Sequence, residues 1–371
     1  MKCANPWDEF QINIDDEVSR RIELETTISN TIMKNVEMGT IPGAVLVIAS
    51  KGKLLLHKAY GFKEVSPIKK PMDIETIFDQ ASVTKIISTW CSILKLVEYG
   101  ELDFEMRVED CLIQARNTRV GKATVKDLLC HTSGLPERTY IKQYGTNEKR
   151  TLIDRICNDN IVEGIGEKVL YSNRGFILLG YIIEHISGMS LERFARQNIW
   201  EPTQMYSTMF NPSENFIQQI APTEYREEIR DIQKGVVHDE NAHWLGGVAG
   251  HAGVFSSSGD LTKFLVMLMA GGERQGTRIL SEQLINDSLL NHTEHLNASR
   301  GLAWATDNTE FGRVFGHTGF TGTGLWINPS LDSFVILLTN RVHPTRNTLG
   351  IHELRENILK QSWKFILSLQ Q

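Results

Sequence analysis

What most constrains this chain is where its β-forming runs lie. Gly43-Ala-Val-Leu-Val-Ile-Ala-Ser50 is a continuous apolar run of strand length, rich in β-branched residues. Lys51-Gly52 turns, and Lys53 to Gly61 returns, which predicts a buried antiparallel hairpin. Strand signals resume only near the far end, at Gly301–Ala305, Arg313–His317, Gly324–Asn328 and Ser333–Thr339. From about residue 82 to 230 the patterns are those of helices and loops. A chain with strands at both ends and helices between them can bury those strands together only if the two ends meet in one sheet. The expected fold class is therefore α+β: one antiparallel sheet from both termini, flanked by terminal helices, with an all-helical region inserted.

The terminal helices have their own signals. Residues 18–38 carry Ile22, Leu24, Ile28, Ile32, Met33 and Val36 at helical spacing, ended by Gly39 and Pro42. Residues 349–369 repeat the pattern with Leu354, Ile358, Phe365 and Leu369. We expect residues 15–80 and 245–371 to form the sheet domain and 81–244 the helical insertion. The seam between them is the natural pocket.

Composition excludes several function classes. The chain has 371 residues, enough for a large core and two subdomains. A net charge of −6 and the lack of any basic run give no reason to expect nucleic acid or an anionic membrane as partner. No segment reaches the ~20 apolar residues of a spanning helix. Met1–Pro6 lacks the apolar core of a signal peptide. The five cysteines, Cys3, Cys91, Cys111, Cys130 and Cys157, never fall as C-x-x-C. Free thiols in a reducing cytoplasm are expected, not a disulfide framework or a zinc site.

Candidate chemistry begins at Gln80-Ala-Ser-Val-Thr-Lys-Ile86. Ser82 and Lys85 sit three apart at the start of a predicted helix marked by Ile86, Ile87, Trp90, Leu94 and Val97, so their side chains share one face. A serine hydroxyl is a poor nucleophile until a base takes its proton, and a neutral lysine amine can be that base. Alone, the pair reads equally as a helix start with a solvated lysine. Tyr171-Ser172-Asn173 precedes an apolar helix over Arg174–Ile186, where Ser172 or Asn173 would serve as an N-cap. His317-Thr318-Gly319 ends a strand beside the expected pocket, where free backbone groups could pair with a bound chain. By itself it is a hairpin turn. His131, in Leu128-Leu-Cys-His-Thr-Ser-Gly-Leu-Pro136, reads as a helix-end histidine. His238, His243 and His251 invite a metal reading, but their spacing fits no metal motif. The glycines among them suggest a tight loop that lets backbone approach a pocket.

Ser-x-x-Lys, then a polar triplet ending in Asn, then a basic residue-Thr-Gly is the motif order of serine β-lactamases and penicillin-binding proteins. With these three motifs, Leu128–Leu135 and Gly250-His-Ala-Gly-Val-Phe255, the chain resembles the class C branch of the serine β-lactamase-like superfamily. That branch includes class C β-lactamases, D,D-carboxypeptidases, D-aminopeptidases and family VIII-type carboxylesterases. The resemblance implies a five-stranded antiparallel sheet with an inserted helical region.

It also implies roles. Ser82 would be the nucleophile that forms an acyl-enzyme. Lys85 would be the base, or would hold Tyr171 in a form that is, the two titrating as a pair. Asn173 would hold the substrate amide or ester. The backbone N–H groups of Ser82 and Phe320 would form the oxyanion hole, and His317, Thr318 and Gly319 would line the site. No metal or cofactor is implied. The departure is His317, where many β-lactamases carry lysine. A histidine, mostly neutral at pH 7, suits neutral esters or amides better than a β-lactam carboxylate. The expected activity is hydrolysis of a small ester, amide or β-lactam-like molecule through a Ser82 acyl-enzyme. The alternatives are a D,D-peptidase or weak β-lactamase, an acyltransferase, and an acyl-binding sensor.

Overall fold

The apolar run Gly43–Ser50 forms strand β1, buried at every position. It is flanked by strands on both edges and packed on both faces, so nothing selects for polar alternation. The computed structural model describes Trp7 and residues 18–137 and 139–369. The expectations placed on Met1–Pro6, on Cys3 and on residues 15–17 lie outside these. Apart from two small two-stranded hairpins at 225–232 and 273–278, the further strands are β2 (Lys53–Glu64), β3 (Lys70–Pro71), β4 (Ile77–Asp79), β5 (Met209–Phe210), β6 (Val254–Ser257), β7 (Ala305–Thr309), β8 (Gly312–Thr318), β9 (Gly324–Asn328) and β10 (Ser333–Leu338).

The main sheet runs β7-β8-β9-β10-β1-β2-β3, with every pair antiparallel. Its centre joins the two chain ends, with Val45 opposite Leu338 and Ser50 opposite Ser333. The sheet has seven strands, not five. The additions are its two edges, the short β3 and the strand β7. The predicted strand 301–305 is also displaced. Gly301–Trp304 is a turn whose backbone bonds to the helical region, with Ala303 N–H on Leu129 O at 3.1 Å and Leu302 N–H on Ser288 O at 2.8 Å. The apolar residues there are buried as expected, but as a plug: Trp304 meets Trp90 edge-on at 5.4 Å.

One face of the sheet, with Leu46, Ile48, Val335 and Leu337, packs on helices α1 (Val18–Glu37) and, at the C-terminal end, Ile351–Ser368. The other face, with Val45, Val47, Ile336 and Leu338, shares one continuous core with the helical region. Three helices of that inner layer are α2 (Cys91–Glu98), α3 (Asn173–Ser187), whose first residue lines the site, and α4 (Ser258–Met269); the C-terminal helix is α5.

The stretch 82–99 is not one helix. A 3₁₀ turn over Ala81–Val83 leads into a π-helical turn over Lys85–Trp90 and then α2. Such wide turns concentrate at functional sites because they re-aim side chains. The strand β4 before it pairs with β6, which also carries β5, in a small second sheet. The four described cysteines, Cys91, Cys111, Cys130 and Cys157, are free and buried. Among the described residues no helix is long and apolar enough to cross a membrane.

Candidate active site

Between Thr76 and Leu94 every residue is buried except Ser82. The backbone explains why. Ala81 adopts a left-handed conformation, with φ of +45°, which costs a non-glycine residue about 1–2 kcal/mol. Asp79 offsets that cost. Its carboxylate accepts the N–H of Ala81 at 2.8 Å and that of His238 at 2.7 Å. Full burial raises the Asp79 pKa despite these two bonds. The sharp turn after β4 leaves Ser82 at the floor of a cleft of about 980 Å³.

Lys85 is buried and spends its donors on three oxygens: Ser82 Oγ at 3.0 Å, Asn173 Oδ1 at 2.9 Å and the His251 carbonyl at 3.1 Å. No carboxylate forms a salt bridge with it among the described residues. Its Nζ lies 4.9 Å from the centre of the Tyr171 ring. Asn173 is the first residue of α3. Ser172, the N-cap, does not cap with its side chain; its hydroxyl donates to Pro136 O at 2.7 Å. That bond and the His131 contact below fix Tyr171-Ser172-Asn173 in place.

The glycine loop packs as expected and has a consequence for Lys85. A Cβ on Gly250 would lie 2.1 Å from Phe176 O, so only glycine lets this loop seat on α3. The seating brings the His251 carbonyl to Lys85. The His251 ring pairs with Asp239 at 2.8 Å. Burial would raise the Asp239 pKa, but His251 and the Ala242 N–H hold it well below the usual carboxylate range. No group of three or more His, Cys, Asp or Glu side chains able to hold a metal occurs among the described residues.

The third motif arrives on β8. His317 and Thr318 extend past Ala305, where β7 begins, so their β7 side is unpaired. The turn after them is stitched to the segment before Ser82. Thr321 Oγ donates to Asp79 O at 2.8 Å and Thr323 Oγ to Gln80 O at 3.0 Å. A Cβ on Gly319 would fall 2.6 Å from Gln80 O, so the two backbones touch only because residue 319 is glycine. Neither Ser82 N–H nor Phe320 N–H donates to another group among the described residues.

The sequence-predicted residues Ser82, Tyr171, Asn173, His317, Thr318, Gly319 and Phe320 all line this one cleft, with Lys85 buried against Ser82. Sequence reasoning missed several residues around them. His131 sits after a helix end, as expected, yet its ring packs on Tyr171 at 4.5 Å. Its Nδ1 accepts the Ser172 N–H at 3.1 Å, so the other ring nitrogen carries the proton. His317 Nδ1 donates to Thr318 O at 3.0 Å. Burial, with Lys85 and Arg300 nearby, pushes both histidines well below the ordinary range and keeps them neutral. Arg300, with no motif to mark it, places its guanidinium 5.9 Å from the Tyr171 ring centre. No carboxylate pairs with it among the described residues, and its Nε is buried without an acceptor.

The family described as Beta-lactamase matches residues 28–359. The chain belongs to the Beta-lactamase family. It is 30% identical over 356 residues to an N-acetylmuramyl-L-alanine amidase of Bacillus subtilis (strain 168), covering 85% of this chain and 80% of that protein. It is 28% identical over 366 residues to a putative D-alanyl-D-alanine carboxypeptidase of Escherichia coli (strain K12), covering 87% and 83%. Its fold is similar to that of EstCE1, a hydrolase with promiscuous acyltransferase activity, with a TM-score of 0.74 and 19% identity over 93% of this chain and 99% of that one. As a Beta-lactamase family member it falls in a superfamily of serine hydrolases.

Proposed function

We propose that this Beta-lactamase family protein is a serine hydrolase that cleaves an ester or amide through a Ser82 acyl-enzyme. The observation that carries this reading is the 3.0 Å contact between Lys85 Nζ and Ser82 Oγ at the floor of an open cleft. Ser82 Oγ attacks the substrate carbonyl carbon while its proton passes to the Lys85–Tyr171 pair. The carbonyl electron pair moves onto oxygen, where the N–H groups of Ser82 and Phe320 receive it. Collapse expels the leaving group, protonated through Tyr171. Water, deprotonated by the same pair, then releases the acid and restores Ser82. Asn173 orients Lys85 and holds the substrate on the α3 side, and Thr318 and Gly319 line the opposite side.

A second reading concerns the substrate. With His317 neutral, the motif itself supplies no cation, but Arg300 does, within the same cleft. A partly buried guanidinium without a carboxylate favours a substrate that brings its own. This supports amides or peptides bearing a carboxylate over wholly neutral esters. It agrees with the amidase and carboxypeptidase names of the relatives.

The test is hydrolysis of p-nitrophenyl butyrate, nitrocefin, D-amino amides and a D-Ala-D-Ala peptide by wild type and Ser82→Ala. At least one substrate should turn over and the variant should lose it. Undiminished turnover by Ser82→Ala ends the proposal.

A further inference from the structure

Arg355 projects from the first turns of α5 and is buried. No carboxylate pairs with it among the described residues, and its Nε has no acceptor. A buried cation in that state is costly unless something compensates it. What it has are two carbonyls: Nη2 donates to Gly319 O at 2.8 Å and to Thr323 O at 2.9 Å. Burial, and then the neighbouring Arg341, pull its pKa down to about 10, so it stays charged at neutral pH.

The first of these carbonyls belongs to the peptide that joins Gly319 to Phe320. The N–H of that same peptide is the Phe320 donor. In a trans peptide the C=O and N–H point opposite ways. Holding the oxygen toward α5, where the Gly322 N–H also reaches it at 3.1 Å, therefore aims the hydrogen away from α5. A cation on the oxygen also draws electron density along the amide and makes its N–H a stronger donor.

We propose that Arg355 is a positioning residue that polarises and orients the Gly319–Phe320 peptide, and so sets how strongly the site holds a developing oxyanion. The inference rests on the Ser82 acyl-enzyme reading above. Arg355 exchanges no proton and forms no bond in the reaction. Its charge acts through the peptide at the moment the substrate carbonyl oxygen becomes negative. The effect belongs to the transition state and not to substrate binding.

The test uses the full chain, a p-nitrophenyl ester and phenylboronic acid, whose tetrahedral Ser82 adduct places an oxygen where the oxyanion forms. Arg355→Met should lower kcat by about 30-fold or more with KM changed less than threefold. The boronate Ki should rise in proportion. Arg355→Lys, which keeps the charge and one bond, should recover part of both losses. Should Arg355→Met fail to fold, Arg355→Lys alone is read: kcat and boronate affinity fall by the same several-fold factor. Unchanged kcat, or boronate affinity kept while kcat falls, overturns the role of Arg355. If wild-type turnover does not depend on Ser82, the acyl-enzyme reading itself has failed, a separate result.

Discussion

The carboxylate of Asp79 accepts the N–H of Ala81 at 2.8 Å, and Ala81 is the left-handed residue on which Ser82 is raised. The same carboxylate accepts the His238 N–H. One buried acid thus fixes the turn before Ser82 and ties it to the loop across the cleft. Asp79→Ala would strand two buried N–H donors, each costing about 1–3 kcal/mol. It should lower the unfolding free energy by about 2–4 kcal/mol in urea titration. Ala81→Gly, which removes the left-handed penalty, should leave stability equal or up to about 1 kcal/mol higher.

Lys85 and Tyr171 are separable from Ser82 by rate. Lys85→Ala and Tyr171→Phe should each lower kcat/KM by at least about 10²-fold, the scale of a lost general acid or base. Single-turnover acylation measured by stopped flow should slow in both. Wild-type acylation in either variant would remove that residue from the proton path.

His317 is held neutral by burial and by the cations near it. A depressed histidine pKa means no change of charge between pH 6 and 8. His317→Asn should therefore leave the shape of the kcat/KM profile unchanged in that window, whatever its effect on height. A break near pH 6.5 that disappears in the variant would contradict this.

Arg300 should act on substrates that carry a carboxylate. Arg300→Gln should raise KM for a D-Ala-D-Ala peptide by about 10–100-fold, the scale of one charge-assisted contact of about 1.5–3 kcal/mol. It should move KM for a neutral p-nitrophenyl ester less than threefold. Equal effects on both would assign Arg300 to packing behind Tyr171.

Glu224 supplies a pH-dependent brace. Burial would raise its pKa, but hydrogen bonds from Arg346 and the His238 ring 3.2 Å away win and hold it below the usual carboxylate range. A depressed carboxylate pKa gives stability that is present above the unfolded value near 4.5 and lost as pH falls below it. Glu224→Gln should thus lower the melting temperature at pH 7 and flatten its decline below pH 4.5. A parallel decline in both proteins would show that Glu224 contributes nothing to acid unfolding.

Much of this was legible because it rests on local pattern. The hairpin 43–61 and the strands 324–328 and 333–338 follow from runs of apolar residues bounded by turns, and α1, α3 and α5 from their spacing. The three motifs were legible because each is contiguous. What the sequence hid was set by partners far along the chain. Gly301–Trp304 has the composition of a strand, but Leu129 and Ser288 take its backbone groups. The turn at Lys85 widens into a π-helix, which no periodicity announces. Arg300 and Arg355 sit in no motif, and their meaning, like that of His131, comes from the missing counter-charge or the ring contacts that folding gives them. His131 alone had a signal, its place in the Leu128–Leu135 stretch.

Strand β1 has β2 as one neighbour, only a turn away, and β10 as the other, almost three hundred residues later. During synthesis the first hairpin must therefore wait with one edge bare until β10, almost three hundred residues on, has left the ribosome. Contacts so distant in sequence make for slow folding. The Gly319 turn, which closes over Ser82, lies in the same late segment. A nascent or C-terminally clipped chain would carry Ser82 and Lys85 without the Gly319–Phe320 turn, so the cleft around them cannot be completed half-made.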